Sequence, residues 1–413
     1  MKEDLPRKKR IMVLTQPLWN NYGCLLQAYA LQRVIADMGF EVCTDRRERR
    51  FPSFGENAKD DLKRLAARLL LQRKSVKVFP YRFDKATWQK VSANTRRFVC
   101  ERLSTVDFFD EGGMPRGDVN DWDAFVFGSD QIWRDSYGRV ETYFGDFLET
   151  KWVRKIAYAA SFGLDSWQFS PERTKRLFDL ACSFDGIGVR EKDMIALMHE
   201  NFACAGGEAA KKLEIHHVAD PTLLLTAGDY RSLVCEWEKE CVQRGRSESE
   251  SAVGENGKGI LAVYVLDWTR EKRQMAERIC NRMRLKAVFL NPERRLGVET
   301  RHFEGEKSVF RSVESWLSLM QSADFVLTDS YHGTIFSLLF GRKFALVQNS
   351  GRGISRFRTL DDLFDLHRHI VSQEEDLEKV FSLSGNTLSD FQNILSDFRN
   401  SSLDFIKQHL CGQ

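Results

Sequence analysis

The stretch that decides the fold runs Asp324-Phe325-Val326-Leu327-Thr328-Asp329-Ser330-Tyr331-His332-Gly333, then an apolar segment ending near Gly341, then Phe344-Ala345-Leu346-Val347. The first four residues predict a strand, the polar run after them a loop, the apolar segment a helix, and Phe344 to Val347 a second strand. This is one β-loop-α-β unit of a parallel sheet, with His332 at a strand's carboxyl end and a helix start. Ligands of open α/β sheets bind there, and the free backbone N–H groups of a helix start favour an anion. An imidazole beside such a cradle suits a phosphorylated substrate. From the local pattern alone, His332 reads equally well as a helix cap and Gly333 as a turn residue.

Working outward, the same grammar repeats. Ile11 to Leu14 predicts a strand, Cys24 to Met38 an amphipathic helix stopped by Gly39, and Phe40 to Thr44 the next strand. No G-x-G-x-x-G dinucleotide fingerprint accompanies this opening β-α-β unit. Asp123 to Phe127, Lys155 to Ala160 and Gly186 to Val189 predict further strands whose carboxyl ends carry Ser129, Asp130 and Gln131, then Ser161, then Arg190. Polar residues at successive strand ends predict one rim facing one cleft. Gly259 to Leu266, Ala287 to Leu290 and Phe325 to Thr328 predict a second parallel set. The expected class is therefore α/β, with two doubly wound Rossmann-like halves: 10–220, 221–385, and C-terminal helices over 386–413. Residues 60–103 read as a basic and apolar helical insertion without an assignable motif. Residues 243–258 read as an exposed polar loop, and Asn349 to Ile354 as a surface loop or an anion-closing one.

Composition narrows the function classes. The 413 residues suit two domains, and a net charge of +3 from 62 basic and 59 acidic residues gives no argument for a nucleic-acid partner. The basic cluster Arg46, Arg47, Arg49 and Arg50 reads as a solvated surface or as a seat for an acidic or lipid-phosphate acceptor. No apolar run approaches a membrane span or a signal-peptide core, and nine cysteines without a Cys-x-x-Cys pair suit reduced thiols. A cytoplasmic location is expected, with association at the inner membrane face left open. His216 and His217 are neighbours in an extended segment and point opposite ways, so no metal site is expected, and both read as residues of an interdomain connection.

Several separated segments, in order, resemble the polysaccharide pyruvyl transferases: Asn20-Asn21-Tyr22-Gly23 with Leu26 to Leu31, Phe127 to Trp133, Tyr158 to Gly163, Val189-Arg190-Glu191, Asp220-Pro221-Thr222, and Ser330-Tyr331-His332-Gly333. The resemblance spans roughly residues 11 to 370. It implies a GT-B-like pair of domains, an N-terminal acceptor domain and a C-terminal donor domain. The implied activity moves the enolpyruvyl unit of phosphoenolpyruvate onto a sugar diol of a polysaccharide or lipid-linked precursor, with no cofactor. One departure stands out: the family often carries Arg where this chain has Ser330, and a hydroxyl offers an anion no charged fork.

Ketal formation needs a general acid near neutral pKa, which the resemblance assigns to His332. Donor contacts are expected from Arg190, Ser330, Tyr331, Gly333 and Arg356, with Arg352 and Arg358 as further cations. Acceptor contacts are expected from Asn21, Ser129, Asp130 and Gln131. Asp130 reads equally as a helix N-cap, and Trp133 reads as core before it reads as a sugar platform. Asp329 is expected either to orient His332 or to cap its helix. A nucleotide-sugar glycosyltransferase and a catalytically silent carbohydrate-binding homologue remain as alternatives.

Overall fold

A computed structural model describes residues 7–70, 79–110, 113–148, 153–243, 259–348, 355–383 and 387–411. Its first sheet contains β1 (Arg10–Leu14), β2 (Glu41–Asp45), β3 (Thr105–Val106), β4 (Ala124–Phe127), β5 (Arg154–Ala160), β6 (Gly186–Val189) and β7 (Ile215–His217). The order across the sheet is β3-β2-β1-β4-β5-β6-β7, and every pairing is parallel. The second sheet contains β8 (Ile260–Tyr264), β9 (Lys286–Phe289), β10 (Phe325–Thr328), β11 (Lys343–Val347) and β12 (Ile370–Val371). Its order is β12-β11-β10-β8-β9, again all parallel. Central strands such as β4, β8 and β10 are buried along their whole length, which is why they read as unbroken apolar runs.

These are the two Rossmann-like halves expected. The strands not foreseen are β3, β7 and β12, all short, and β7 holds His216 and His217, which therefore belong to the first sheet. Residues 388–410 form one helix, Thr387–Cys411, rather than several. The insertion at 60–103 resolves into the helices Phe54–Leu70, Lys85–Val91 and Ala93–Arg102.

Strand order locates the ligand edge. In the first sheet the chain grows outward from β1 to β3 and then restarts with β4 on the other side of β1. In the second it grows from β8 to β9 and restarts with β10. The crevices between β1 and β4, and between β8 and β10, are thus the topological switch points where such sheets bind ligands. Gly128-Ser129-Asp130 follows β4, and Asp329-Ser330-Tyr331-His332 follows β10.

The halves are joined by a continuous core. Tyr22, at the start of the first helix (Tyr22–Asp37), stacks on Trp316 with centroids 5.6 Å apart and donates its hydroxyl to the Arg311 carbonyl at 3.2 Å. Arg97 reaches the fully buried Glu314 at 3.1 Å. The helix Thr387–Cys411 packs on the first sheet: Phe405 lies against Tyr158, Ser402 Oγ accepts from the Ala219 N–H at 2.9 Å, and the His409 carbonyl accepts from Arg154.

Candidate active site at the two switch points

Two helix starts meet between the domains. Asn21 caps the first helix, its side-chain oxygen accepting from the N–H groups of Gly23 and Cys24 at 3.1 and 3.3 Å. Ser330 caps the helix Tyr331–Leu339 by accepting from the Gly333 N–H at 3.4 Å. The ring of His332 rests directly on Gly23, so close that a Cβ there would fall 2.0 Å from Nδ1. Glycine is required at position 23 by this approach.

The far side of the ring faces Asp220. His332 Nε2 lies 3.4 Å from Asp220 Oδ2, within ion-pair range but long for a hydrogen bond. Asp220 is fully buried, which acts to raise its pKa. The opposing pull of His332 and Arg190, with hydrogen bonds to its oxygens, outweighs burial and holds the carboxyl well below the usual range. Its other oxygen accepts from the Thr222 N–H and hydroxyl at 3.0 and 2.6 Å, so Asp-Pro-Thr is a capped turn that fixes the carboxylate.

Arg190, at the end of β6, ties the cluster together. Its Nε donates to Glu191 at 3.0 Å and its Nη1 to Asp220 at 3.3 Å and Asp130 at 3.4 Å, while the guanidinium lies 4.7 Å from the Tyr331 ring centroid. Burial opposes its charge, but Glu191, Asp130, Tyr331 and Asp220 together push its pKa well up. Burial also pushes the Tyr331 phenol up, with Asp220 adding to it and Arg190 and Arg356 opposing it. Three buried polar atoms here make no hydrogen bond: His332 Nε2, Arg190 Nη2 and Glu191 Oε2. Such groups are rare in cores and mark a site poised for another partner.

The sequence-derived residues divide accordingly. His332, Arg190 and Tyr331 come together, with Asp130 beside them. Arg356 is buried in the first turn of the helix Ser355–Phe364 rather than in the preceding loop, and its charge reaches Tyr331. Arg358 lies on the surface, paired with Asp193 at 3.1 Å. Arg352 and the 349–354 loop lie outside the described residues. Asn21 and Asp130 line a cavity of about 540 Å³ at the cleft, together with Trp19, Tyr137 and Phe310.

Other expectations change. Asp130 does not cap a helix, since the next helical turn, Asp135–Tyr137, has Arg134 at its start. It sits at φ +75° with Oδ1 accepting from the Gln131 N–H at 2.9 Å and from Arg190. Ser129 and Gln131 are buried and internally engaged: Ser129 Oγ accepts from Asp130 N–H, and Gln131 Oε1 accepts from Arg134 at 3.0 Å. Asp329 neither orients His332 nor caps its helix. It accepts from the Leu266 and Asp267 N–H groups and from Lys272 at 2.6 Å, closing the β8/β10 switch point within its own domain. Gly333 serves packing, because a Cβ would meet Thr328 Oγ1 at 2.2 Å. Trp133 is core, stacked on Phe144 at 4.5 Å.

A family model described as polysaccharide pyruvyl transferase matches residues 21–351. The chain belongs to the polysaccharide pyruvyl transferase family. No curated protein matches it. Solved structures similar to it include S. aureus MnaA with UDP (11% identity, 97% of each chain, TM-score 0.48). An α,α-trehalose-phosphate synthase from Burkholderia vietnamiensis is 9% identical over 98% of this chain and 99% of that one, with TM-score 0.48. The glycosyltransferase SnogD from Streptomyces nogalater is 10% identical over 98% and 100%, with TM-score 0.44.

The residues missed from sequence were Gly23 and Asp220. Both stand in the segments that resemble the family, but their roles arise only where the two domains touch. Burial, reinforced by Asp130, pushes the pKa of the neighbouring Cys24 thiol well up, which leaves it little thiolate. Among the described residues one group, Asp361, Asp365 and His367, has atoms close enough to share an ion. It is mostly exposed, and His367 already pairs with Asp365 at 2.6 Å. No described helix is long and apolar enough to cross a membrane.

Proposed function

We propose that this chain transfers the enolpyruvyl unit of phosphoenolpyruvate to two hydroxyls of one sugar, yielding a pyruvate ketal and inorganic phosphate. One observation carries the reading: His332, whose Nε2 makes no hydrogen bond but lies in ion-pair range of an ionised Asp220, is held against Gly23 where two switch points meet. In this mechanism protonated His332 delivers its proton to C3 of the donor, turning the methylene into a methyl while positive character develops at C2. One sugar hydroxyl adds to C2, the C2–O bond to phosphate breaks, and the second hydroxyl closes the ketal. Of the two protons that the hydroxyls release, one replaces the proton given up by His332 and the other leaves on phosphate. Asp220 acts as a positioning residue, holding the ring from its Nε2 side at 3.4 Å. The donor anions fall to Arg356 and to Nη2 of Arg190, and Asn21 and Asp130 face the acceptor.

Because His332 is enclosed between the halves, this reading requires them to part for substrate to enter. It also places the work in the cytoplasm, with a lipid-linked or soluble saccharide as acceptor. Calorimetry with phosphoenolpyruvate, and phosphate release with lipid-linked and nitrophenyl sugars, test it. His332→Gln should lower turnover by about 100-fold to 10,000-fold while donor affinity stays near wild type. Affinity for a nucleotide-sugar with none for phosphoenolpyruvate would overturn the assignment, as would full turnover in His332→Gln.

A further inference from the structure

A second cavity of about 760 Å³ opens on the N-terminal domain beside the cleft. The two cavities share Pro17, Trp19, Phe83 and Tyr137, so they adjoin. Six arginines line the larger one, Arg47, Arg49, Arg50, Arg82, Arg116 and Arg139, against three carboxylates, Glu48, Asp107 and Asp110. A wall with that imbalance attracts anions, but surface arginines are commonly neutralised by neighbours. What decides is which charges remain unmatched.

Four of the six have carboxylate partners: Arg47 with Asp45, Arg50 with Glu56, Arg82 with Asp60 and Asp61, and Arg139 with Asp146. Of the wall's own carboxylates, Asp107 and Glu48 are held by Arg46, which lies outside this lining, at 2.5 and 3.6 Å. Asp110 accepts from the Met114 N–H at 2.9 Å. Arg49 and Arg116 are left with no carboxylate partner among the described residues. Arg116 gives its Nε to the Phe109 carbonyl at 3.0 Å, and its terminal nitrogens have no acceptor among the described residues.

Arg49 is the more unusual. Its guanidinium lies 4.3 Å from the Trp88 ring centroid, 5.0 Å from Phe83 and 5.1 Å from Trp19. Three aromatic rings hold a half-buried cation, and burial alone lowers its pKa, with no carboxylate acting against it. The rings hold the guanidinium in place, and among the described residues its N–H groups have no acceptor. A pre-set fork of donors with no internal partner is the arrangement that recognises a phosphate oxygen pair at little entropic cost.

We infer that this arginine-lined cavity binds the phosphate or diphosphate of a phosphorylated saccharide acceptor, with Arg49 and Arg116 as its anion contacts and the sugar extending past Trp19 and Tyr137 into the cleft. The inference deepens the proposed function and rests on it for the word acceptor. The size suits it, since cavities of roughly 300–1,000 Å³ enclose small-molecule ligands. It is separate from the donor place, because none of His332, Asp220, Arg190 or Tyr331 lines it. A diphosphate could be joined to a nucleoside or to a polyprenyl chain, and the chemistry seen by Arg49 and Arg116 is the same for both.

The test uses the full chain and three probes, inorganic pyrophosphate, UDP and farnesyl diphosphate, titrated by calorimetry and by quenching of Trp19 and Trp88 fluorescence with saturating phosphoenolpyruvate present. Pyrophosphate should bind alongside the donor. Arg49→Gln and Arg116→Gln should each weaken it by about 10-fold to 100-fold. Because Arg49→Gln also removes a stacked cation, Arg116→Gln, which leaves the aromatic cage intact, gives the second reading. Tighter binding of farnesyl diphosphate or of UDP than of pyrophosphate supports the inference and identifies what the diphosphate is joined to. Displacement of pyrophosphate by phosphoenolpyruvate, or affinity unchanged in both variants, overturns it. Donor binding without pyrophosphate binding would remove this inference and leave the proposed function standing. Pyrophosphate binding at Arg49 without any donor affinity would do the reverse.

Discussion

Replacing Gly23 with alanine adds a single methyl group at the point where the two domains touch through His332. That methyl would sit 2.0 Å from Nδ1 and 2.4 Å from Cγ of the ring. Ordinary contact is about 3.5–4.0 Å, so the imidazole or the helix start must give way by roughly 1.5 Å. Overpacking of this kind costs about 1–3 kcal/mol, while exchanging glycine for alanine in a helix returns about 0.5–1 kcal/mol. Net stability should therefore fall by about 2.5 kcal/mol at most. Turnover should suffer far more. His332 would leave its place 3.4 Å from Asp220, and a misplacement of about 1 Å at a reacting group costs about 100-fold. Phosphate release from phosphoenolpyruvate, measured beside a urea melt, separates the two effects. Turnover within about threefold of wild type in a folded Gly23→Ala protein would refute the reasoning, since the helix start and the ring could not then be in contact during catalysis.

Three further expectations follow from the same geometry. Arg190→Ala leaves Glu191 and Asp220 buried, and Asp130 beside them, without their cation, so it should destabilise the fold by about 3 kcal/mol or more, read as a lower urea midpoint; an unchanged midpoint would show that the carboxylates do not depend on it. His217, on β7, donates to the Arg190 carbonyl at 3.2 Å, and burial lowers its pKa to about 4 from the ordinary 6.5. The unfolded chain therefore binds more protons between those values, so stability is full above pH 6.5 and falls by about 1–3 kcal/mol as pH drops toward 4. His217→Asn should flatten that slope, and an identical slope in the variant would count against it. Ser330→Ala removes the cap of the His332 helix and should cost about 0.5–2 kcal/mol, with Ser330→Asn largely restoring it in thermal melts.

The parallel cores were legible because strands buried on both faces are written as unbroken apolar runs, as in Phe325 to Thr328 and Ala124 to Phe127. The edges were not. β3, β7 and β12 have two or three residues each, too few for any period to show. At the site, His332 and Arg190 could be placed at strand ends from pattern, but the direction of a neighbouring side chain could not. Asp329 is adjacent to Ser330 and turns toward Lys272, whereas Asp220, more than a hundred residues from His332, faces it. Ser129, Asp130 and Gln131 show the same limit: the loop was identified, yet only Asp130 reaches the cleft, because the chain there takes a left-handed turn at Asp130 that buries its two neighbours.

The helix Thr387–Cys411 has a consequence for the order in which the protein can be made. It supplies Ser402 to the Ala219 amide, Phe405 to Tyr158, and a carbonyl acceptor to Arg154. On the ribosome these residues emerge last among those described, long after the sheet they cover. During translation the first half must therefore wait with β5 and the Asp220 turn incompletely covered, while the second half is completed around β8 to β12. Arg190 and Asp220 are set in that turn's neighbourhood, so the active site can reach its final packing only after this helix has emerged. Nascent chains released before residue 387 should show a protease-sensitive first half, although every strand of its sheet is already present.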